Sequence, residues 1–189
     1  MVKAKGMELE VSRIDGEMIA RAADLLELCK DAGLMIATAE SCTGGLLAAV
    51  LTDAPGASRV FEGGFVTYSN RAKNALLGVP QALLDSHGAV SEQVARAMAE
   101  GVIANSPADL AVSITGIAGP EGGTPEKPVG LVHFGAACPE SETVHAECRF
   151  GDIDRAEVRR KAVLQAIGML ETMARDVIAQ RRKAAKQKE

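Results

Sequence analysis

The chain has 189 residues, enough for one domain with a substantial core and too few for a second of ordinary size. Hydrophobic residues make up 47% and aromatics only 3%, so Ala, Val, Leu, Ile and Met are predicted to fill the core and glycine turns to shape it, a balance that suits an α/β protein. The net charge of -4 argues against a nucleic-acid surface over the whole molecule, and the basic residues at 181–188 read as a solvated helix end.

Cys29, Cys42, Cys138 and Cys148 form neither a CxxC pair nor zinc-like spacings, so no disulfide framework or metal site is expected. No apolar run reaches the length of a bilayer span and no signal-peptide pattern opens the chain, which makes the cytoplasm the expected location.

In chain order, Ile14, Met18, Ala22, Leu25, Leu26, Leu28 and Cys29 recur at helical spacing, with Gly33 where a helix-ending glycine belongs. Residues 34–39 are a short apolar run, predicted as a buried strand, with Glu40-Ser41-Cys42-Thr43-Gly44-Gly45 at its carboxyl end and a helix over 46–51. After Pro55-Gly56, Val60-Phe61 and Phe65-Val66-Thr67-Tyr68 predict a strand interrupted by Gly63-Gly64 at a bulge, and Ser69 or Asn70 is placed to cap the helix carrying Lys73.

Ser91 caps a further predicted helix through Ile103, and residues 110–114 predict a second buried strand. The glycine-rich loop 115–123 follows, then an antiparallel pair over 129–137 and 143–150 joined near Pro139, then a long helix from about Asp154. The pattern predicts a single domain over 1–189, its core at about 14–178 and its ends frayed. Its expected architecture is a three-layer α/β/α sandwich with a mixed, mainly parallel sheet that includes one antiparallel hairpin.

Ser41 stands where a buried strand turns into a helix, a geometry that exposes a nucleophilic hydroxyl beside free backbone N–H groups. Those of Cys42, Thr43 and Gly44 are candidates for an oxyanion hole. The competing reading for Ser41 and Thr43 is helix capping, the commoner role of a hydroxyl residue before a helix. Cys42 is the rival nucleophile, although none of His87, His133 and His145 occupies a partnering motif. Lys73 lies about one turn inside the next helix and within reach of the sheet edge; to act as a base it must be neutral, and the competing reading is a solvated surface lysine.

Loop 115–123 suits close backbone approach to a phosphate or a flat ring, but it has neither the Walker ending nor a GxGxxG fingerprint, and a plain turn competes. Arg155 and Arg159, spaced i, i+4, share one face at a helix N-terminus that favours anions, unless they pair with Asp152 or Asp154.

Five ordered blocks carry a resemblance: Thr38-Ala39-Glu40-Ser41-Cys42-Thr43-Gly44-Gly45, Phe65-Val66-Thr67-Tyr68-Ser69-Asn70 with Lys73, Gly88-Ala89-Val90-Ser91, Thr115-Gly116-Ile117-Ala118-Gly119-Pro120 and Lys127-Pro128-Val129-Gly130. Together they closely resemble the CinA C-terminal domain family over roughly residues 25–173. The resemblance implies a Ser/Lys amidohydrolase acting on the carboxamide of nicotinamide mononucleotide, the activity of members that stand alone. Longer relatives carry a preceding module related to molybdopterin-binding proteins, which a chain this short is expected to lack together with its activity.

Carried over by motif, the resemblance assigns Ser41 as nucleophile and Lys73 as base, with Tyr68 and Thr115 beside them. Cys42, Thr43, Gly44, Gly45, Asn70, Gly116, Ala118, Gly119, Arg155 and Arg159 form the expected substrate-binding set. The implied mechanism requires no metal or organic cofactor. The expected partner is a small nucleotide, with no nucleic acid or membrane, in a symmetric homo-oligomer for which a dimer is the first expectation. Two alternatives stay open: a non-catalytic nucleotide-binding module linked to competence or DNA damage, and an amidase for another small amide.

Overall fold

The computed structural model describes residues 2–4, 7–9 and 13–187, and the expected fraying at the extreme ends lies partly outside these described residues. Two short strands, β1 (Val2–Ala4) and β2 (Met7–Leu9), pair antiparallel in a sheet of their own. Helix α1 (Gly16–Ala32) starts at Asp15, whose carboxylate accepts the Met18 N–H, and ends at Gly33, whose left-handed backbone (φ 65°) lets its N–H reach the Cys29 and Lys30 carbonyls.

The main sheet is built from β3 (Ile36–Glu40), β4 (Phe61–Val66), β5 (Leu110–Gly116), β6 (Leu131–Cys138) and β7 (Ser141–Arg149) in the order β4-β3-β5-β6-β7. The pairings of β3 with β4 and β5 are parallel, and those of β6 with β5 and β7 antiparallel. A bulge is present, but ahead of the glycines: Ile36 pairs with Phe61 and Ala37 with Gly63, so Glu62 is the extra residue, and β4 is not interrupted at Gly63-Gly64, which pair with Ala37 and Thr38. β4 ends at Val66, leaving Tyr68 beyond the strand in which it was expected.

Between these strands run α2 (Leu46–Asp53), α3 (Asn70–Leu77), α4 (Gln81–His87) and α5 (Glu92–Ala104), with α6 (Arg155–Lys186) closing the chain. One face of the sheet is covered by α1, α2 and α6, through a core that joins Met18, Leu47 and Ile167 to Ile36, Val112 and Phe134. The other is covered by α3, α4 and α5, where Leu77, Leu84 and Met98 meet Ala37, Ala39 and Ala111. The small residues on this second face allow close approach: Ser113 Oγ donates to the Ala95 carbonyl at 2.5 Å, and a Cβ on Gly135 would stand 2.5 Å from the same oxygen. The result is the expected three-layer α/β/α arrangement. Parallel β3, β4 and β5 all end on the same side, and β3 sits between strands reached by chain running in opposite directions, the place in open α/β sheets where a crevice forms.

Candidate functional site

That crevice is a cavity of about 270 Å³. Its walls come from the segments that follow three parallel strands: Ser41 and Cys42 after β3, Tyr68 and Lys73 after β4, and residues 115–119 at and beyond the end of β5. Ala89, Val90, Glu121, Gly122 and Arg155 complete it.

The backbone fixes Ser41 from both sides, since its N–H donates to the Ile114 carbonyl of β5 at 2.9 Å and its carbonyl accepts the Gly44 N–H at 3.0 Å. Gly44 (φ 59°) and Gly45 (φ 92°) both adopt left-handed backbone, so the chain turns sharply from β3 into α2. Neither Ser41 nor Thr43 caps that helix. The free amides of its first turn go instead to the buried Glu40 carboxylate, which accepts from Gly45 N at 3.0 Å, Leu47 N at 3.0 Å and Ala48 N at 2.8 Å. Sequence reasoning missed this use of Glu40; an acidic residue at the end of an otherwise apolar strand was the available signal.

Ser69 caps α3 by accepting the Ala72 N–H, which sets Lys73 on the inward side of the first turn. Its side chain is 0% exposed, and its ammonium donates to Ser41 Oγ at 2.9 Å and to the Thr67 carbonyl at 2.8 Å. Among the described residues it has no carboxylate partner. Burial therefore pushes its pKa down from 10.5 to about 8. The solvated-surface reading of Lys73 is thereby excluded.

Cys42 is also buried, and the same desolvation acts in the opposite sense on an acid, raising its thiol from 9.0 to about 11. None of the three histidine side chains lines the cavity; His133 and His145 stack on each other across β6 and β7, their ring nitrogens 3.0 Å apart. Among the described residues no group of three or more His, Cys, Asp or Glu is placed to hold a metal ion.

The expected substrate-binding residues separate into two groups. Cys42, Gly116, Ala118, Gly119 and Arg155 line the cavity, as do Tyr68 and Thr115, whereas Thr43, Gly44, Gly45, Asn70 and Arg159 stand outside its lining. Asn70 is an exposed first residue of α3. The two arginines do not pair with Asp152 or Asp154 in any ion pair observed among the described residues. Arg155 donates to the Gly119 carbonyl at 2.9 Å and to the Tyr68 hydroxyl at 3.1 Å, while Arg159 donates to the Thr43 carbonyl at 2.6 Å behind the Ser41 turn. Thr115 is buried and donates to the Ala89 carbonyl at 2.8 Å, tying the 88–91 wall to β5.

Residues 19–174 match the CinA C-terminal domain family. The chain belongs to this family. A CinA-like protein of Anaeromyxobacter sp. (strain K) is 54% identical over 138 residues, which cover 73% of this chain and 33% of that protein. The chain therefore spans about a third of the length of such curated relatives of the CinA C-terminal domain.

Among solved structures, the competence/damage inducible protein CihA from Agrobacterium tumefaciens is similar with a TM-score of 0.82 and 47% identity, covering 85% of this chain and 97% of that one. The CinA superfamily protein ECK1530/EC0983 from Escherichia coli is similar with a TM-score of 0.77 and 34% identity, covering 85% and 94%. The fold of this CinA C-terminal domain is thus shared with structures that span almost the same unit. None of the described helices is long and apolar enough to cross a membrane.

Proposed function

We propose that this CinA C-terminal domain is a Ser/Lys amidohydrolase that converts nicotinamide mononucleotide and water to nicotinate mononucleotide and ammonia. One observation carries the reading: a fully buried lysine, without a carboxylate partner among the described residues, lies 2.9 Å from the hydroxyl of a serine on a strand-to-helix turn. A surface lysine stays charged near neutral pH, but one with a pKa near 8 is neutral in a useful fraction of molecules and can accept a proton.

In the proposed sequence, neutral Lys73 takes the Ser41 proton as Oγ attacks the carboxamide carbon, and the negative charge passes to the amide oxygen. The N–H groups of Cys42 and Thr43 are the candidate donors to that oxygen. Among the described residues they donate to no other residue, whereas the Gly44 N–H is already held by the Ser41 carbonyl. As the C–N bond breaks, Lys73 returns the proton to the nitrogen and ammonia leaves. Lys73 then takes a proton from the water that attacks the ester carbon and, as the C–Oγ bond breaks, passes that proton to Ser41 Oγ, which restores the hydroxyl and the neutral lysine and frees nicotinate mononucleotide.

Arg155, on the cavity wall and beside Tyr68, is the side chain best placed to meet a phosphate. The Ser/Lys pair by itself supports amide hydrolysis as a class; the nucleotide comes from the family resemblance. The relatives' names speak of competence and damage and name no reaction, and a nucleotide-binding module without turnover is the second reading.

The test is ammonia release from the purified protein given nicotinamide mononucleotide, nicotinamide riboside or nicotinamide. The mononucleotide is expected to react fastest and free nicotinamide slowest. Binding without ammonia release contradicts the enzyme reading, and equal use of nicotinamide contradicts the nucleotide assignment.

A further inference from the structure

Glu40 is a buried carboxylate immediately before the proposed nucleophile, 1% exposed, and the mechanism above does not use it. A carboxylate so deeply buried persists only where hydrogen bonds replace its water. Here three backbone amides of α2 do so, Gly45 and Leu47 to one oxygen and Ala48 to the other. The N-terminus of a helix is ordinarily a site for a substrate anion. In this fold Glu40 fills that site from within, so the first turn of α2 is closed to the substrate's phosphate and to the oxyanion.

The same residue spans the turn that carries Ser41. Its main chain belongs to β3 and its side chain grips α2, so residues 41–44 are held at both ends by one side chain of fixed length. Its carbonyl also accepts the Thr67 N–H at 2.8 Å, and the Thr67 carbonyl in turn accepts the Lys73 ammonium at 2.8 Å. Residue 40 therefore reaches both members of the Ser41–Lys73 pair, one through the turn and the other through Thr67.

We infer that Glu40 is a positioning residue, which clamps the Ser41 turn onto the N-terminus of α2 and so sets the 2.9 Å approach of Ser41 to Lys73. This rests on Ser41 being the reactive serine, and the test separates the two ideas. Glu40→Gln keeps the size of the side chain but removes its charge and turns an amide NH₂ towards a backbone N–H. Misplacement of a reacting group by about an ångström costs about 100-fold in rate, so kcat per folded molecule is expected to fall about 100-fold while KM stays within about threefold.

Two rates are measured on wild type, Glu40→Gln and Glu40→Asp, with the folded fraction read by far-UV circular dichroism: ammonia release from nicotinamide mononucleotide, and labelling of Ser41 by a fluorophosphonate. Both rates are expected to fall in Glu40→Gln. Glu40→Asp, which keeps the charge on a shorter arm, should fall between it and wild type. If wild type labels at Ser41 without releasing ammonia, and labelling collapses in the variants, the substrate assignment fails and the role of Glu40 stands. Wild-type labelling and turnover per folded molecule in either variant overturn the role. Should Glu40→Gln not fold, Glu40→Asp carries the test alone.

Discussion

Lys73 and Cys42, which line the cavity with Ser41, illustrate how burial sorts candidates for chemistry. Desolvation disfavours the charged form of both Lys73 and Cys42, but for a lysine the neutral form is the base, whereas for a cysteine the neutral form is the inert thiol. Cys42→Ala is therefore expected to keep ammonia release within about threefold of wild type, while Ser41→Ala loses it by several orders of magnitude. The reverse pattern would move the nucleophile to Cys42. The two arginines, equivalent in sequence, also diverge. Arg155→Ala should raise KM for nicotinamide mononucleotide about tenfold or more and leave the riboside nearly unchanged, because a charge-assisted bond of about 1.5–3 kcal/mol is lost only where phosphate exists. Arg159, bonded to the Thr43 carbonyl outside the cavity lining, should affect both substrates alike when replaced by Ala. Steady-state kinetics on the two substrates distinguishes the pair.

At the scale of elements, the position of Lys73 depends on how α3 rests against α5. Gly101 of α5 sits directly under the Leu77 carbonyl at the end of α3, and a Cβ there would drive into that backbone. Gly101→Ala is expected to cost about 1–3 kcal/mol in urea unfolding and to slow ammonia release, because relief of the clash must move α3. Gly16→Ala at the start of α1 meets no atom within 4 Å and is the neutral control. Element types were largely legible in the sequence, where Ser69, Ser91 and Gly33 punctuate apolar periods. The short α4 was not, because it begins at Pro80 with no side-chain cap and buries only Leu84 deeply. At the site, Ser41 and Lys73 were legible as motif residues. The burial of Lys73 also followed from the requirement that a base be neutral, and the structure bears it out. Which amides Glu40 grips was not legible: an acidic residue ending an apolar strand signals a need for partners, but only the packing of α2 against β3 supplies them.

For the whole molecule, the buried amine is a stability liability that depends on pH. Its pKa is about 8 in the fold and 10.5 ordinarily, so between those values the unfolded chain binds more protons than the folded one. Stability from this group is lowest below about pH 8, rises with pH through the window from 8 to 10.5, and changes by about 3 kcal/mol across it. Lys73→Met removes the charge and also the hydrogen bonds to Ser41 and Thr67, each worth about 1 kcal/mol, so a net gain of about 1–2 kcal/mol is expected at pH 7 and a net loss of about 1–2 kcal/mol at pH 10.5. Urea unfolding at the two pH values reads this difference; a variant less stable than wild type at pH 7 would mean that the amine is not desolvated.

The same proton governs turnover, and the pH dependence of kcat/KM for ammonia release from nicotinamide mononucleotide tests the central claim most directly. The Ser41–Lys73 account predicts an ascending limb with an apparent pKa of about 8 in wild type, and near-complete loss of activity in Lys73→Arg, whose guanidinium stays charged and accepts no proton. A flat profile through pH 8, or near-normal turnover by Lys73→Arg, would contradict it.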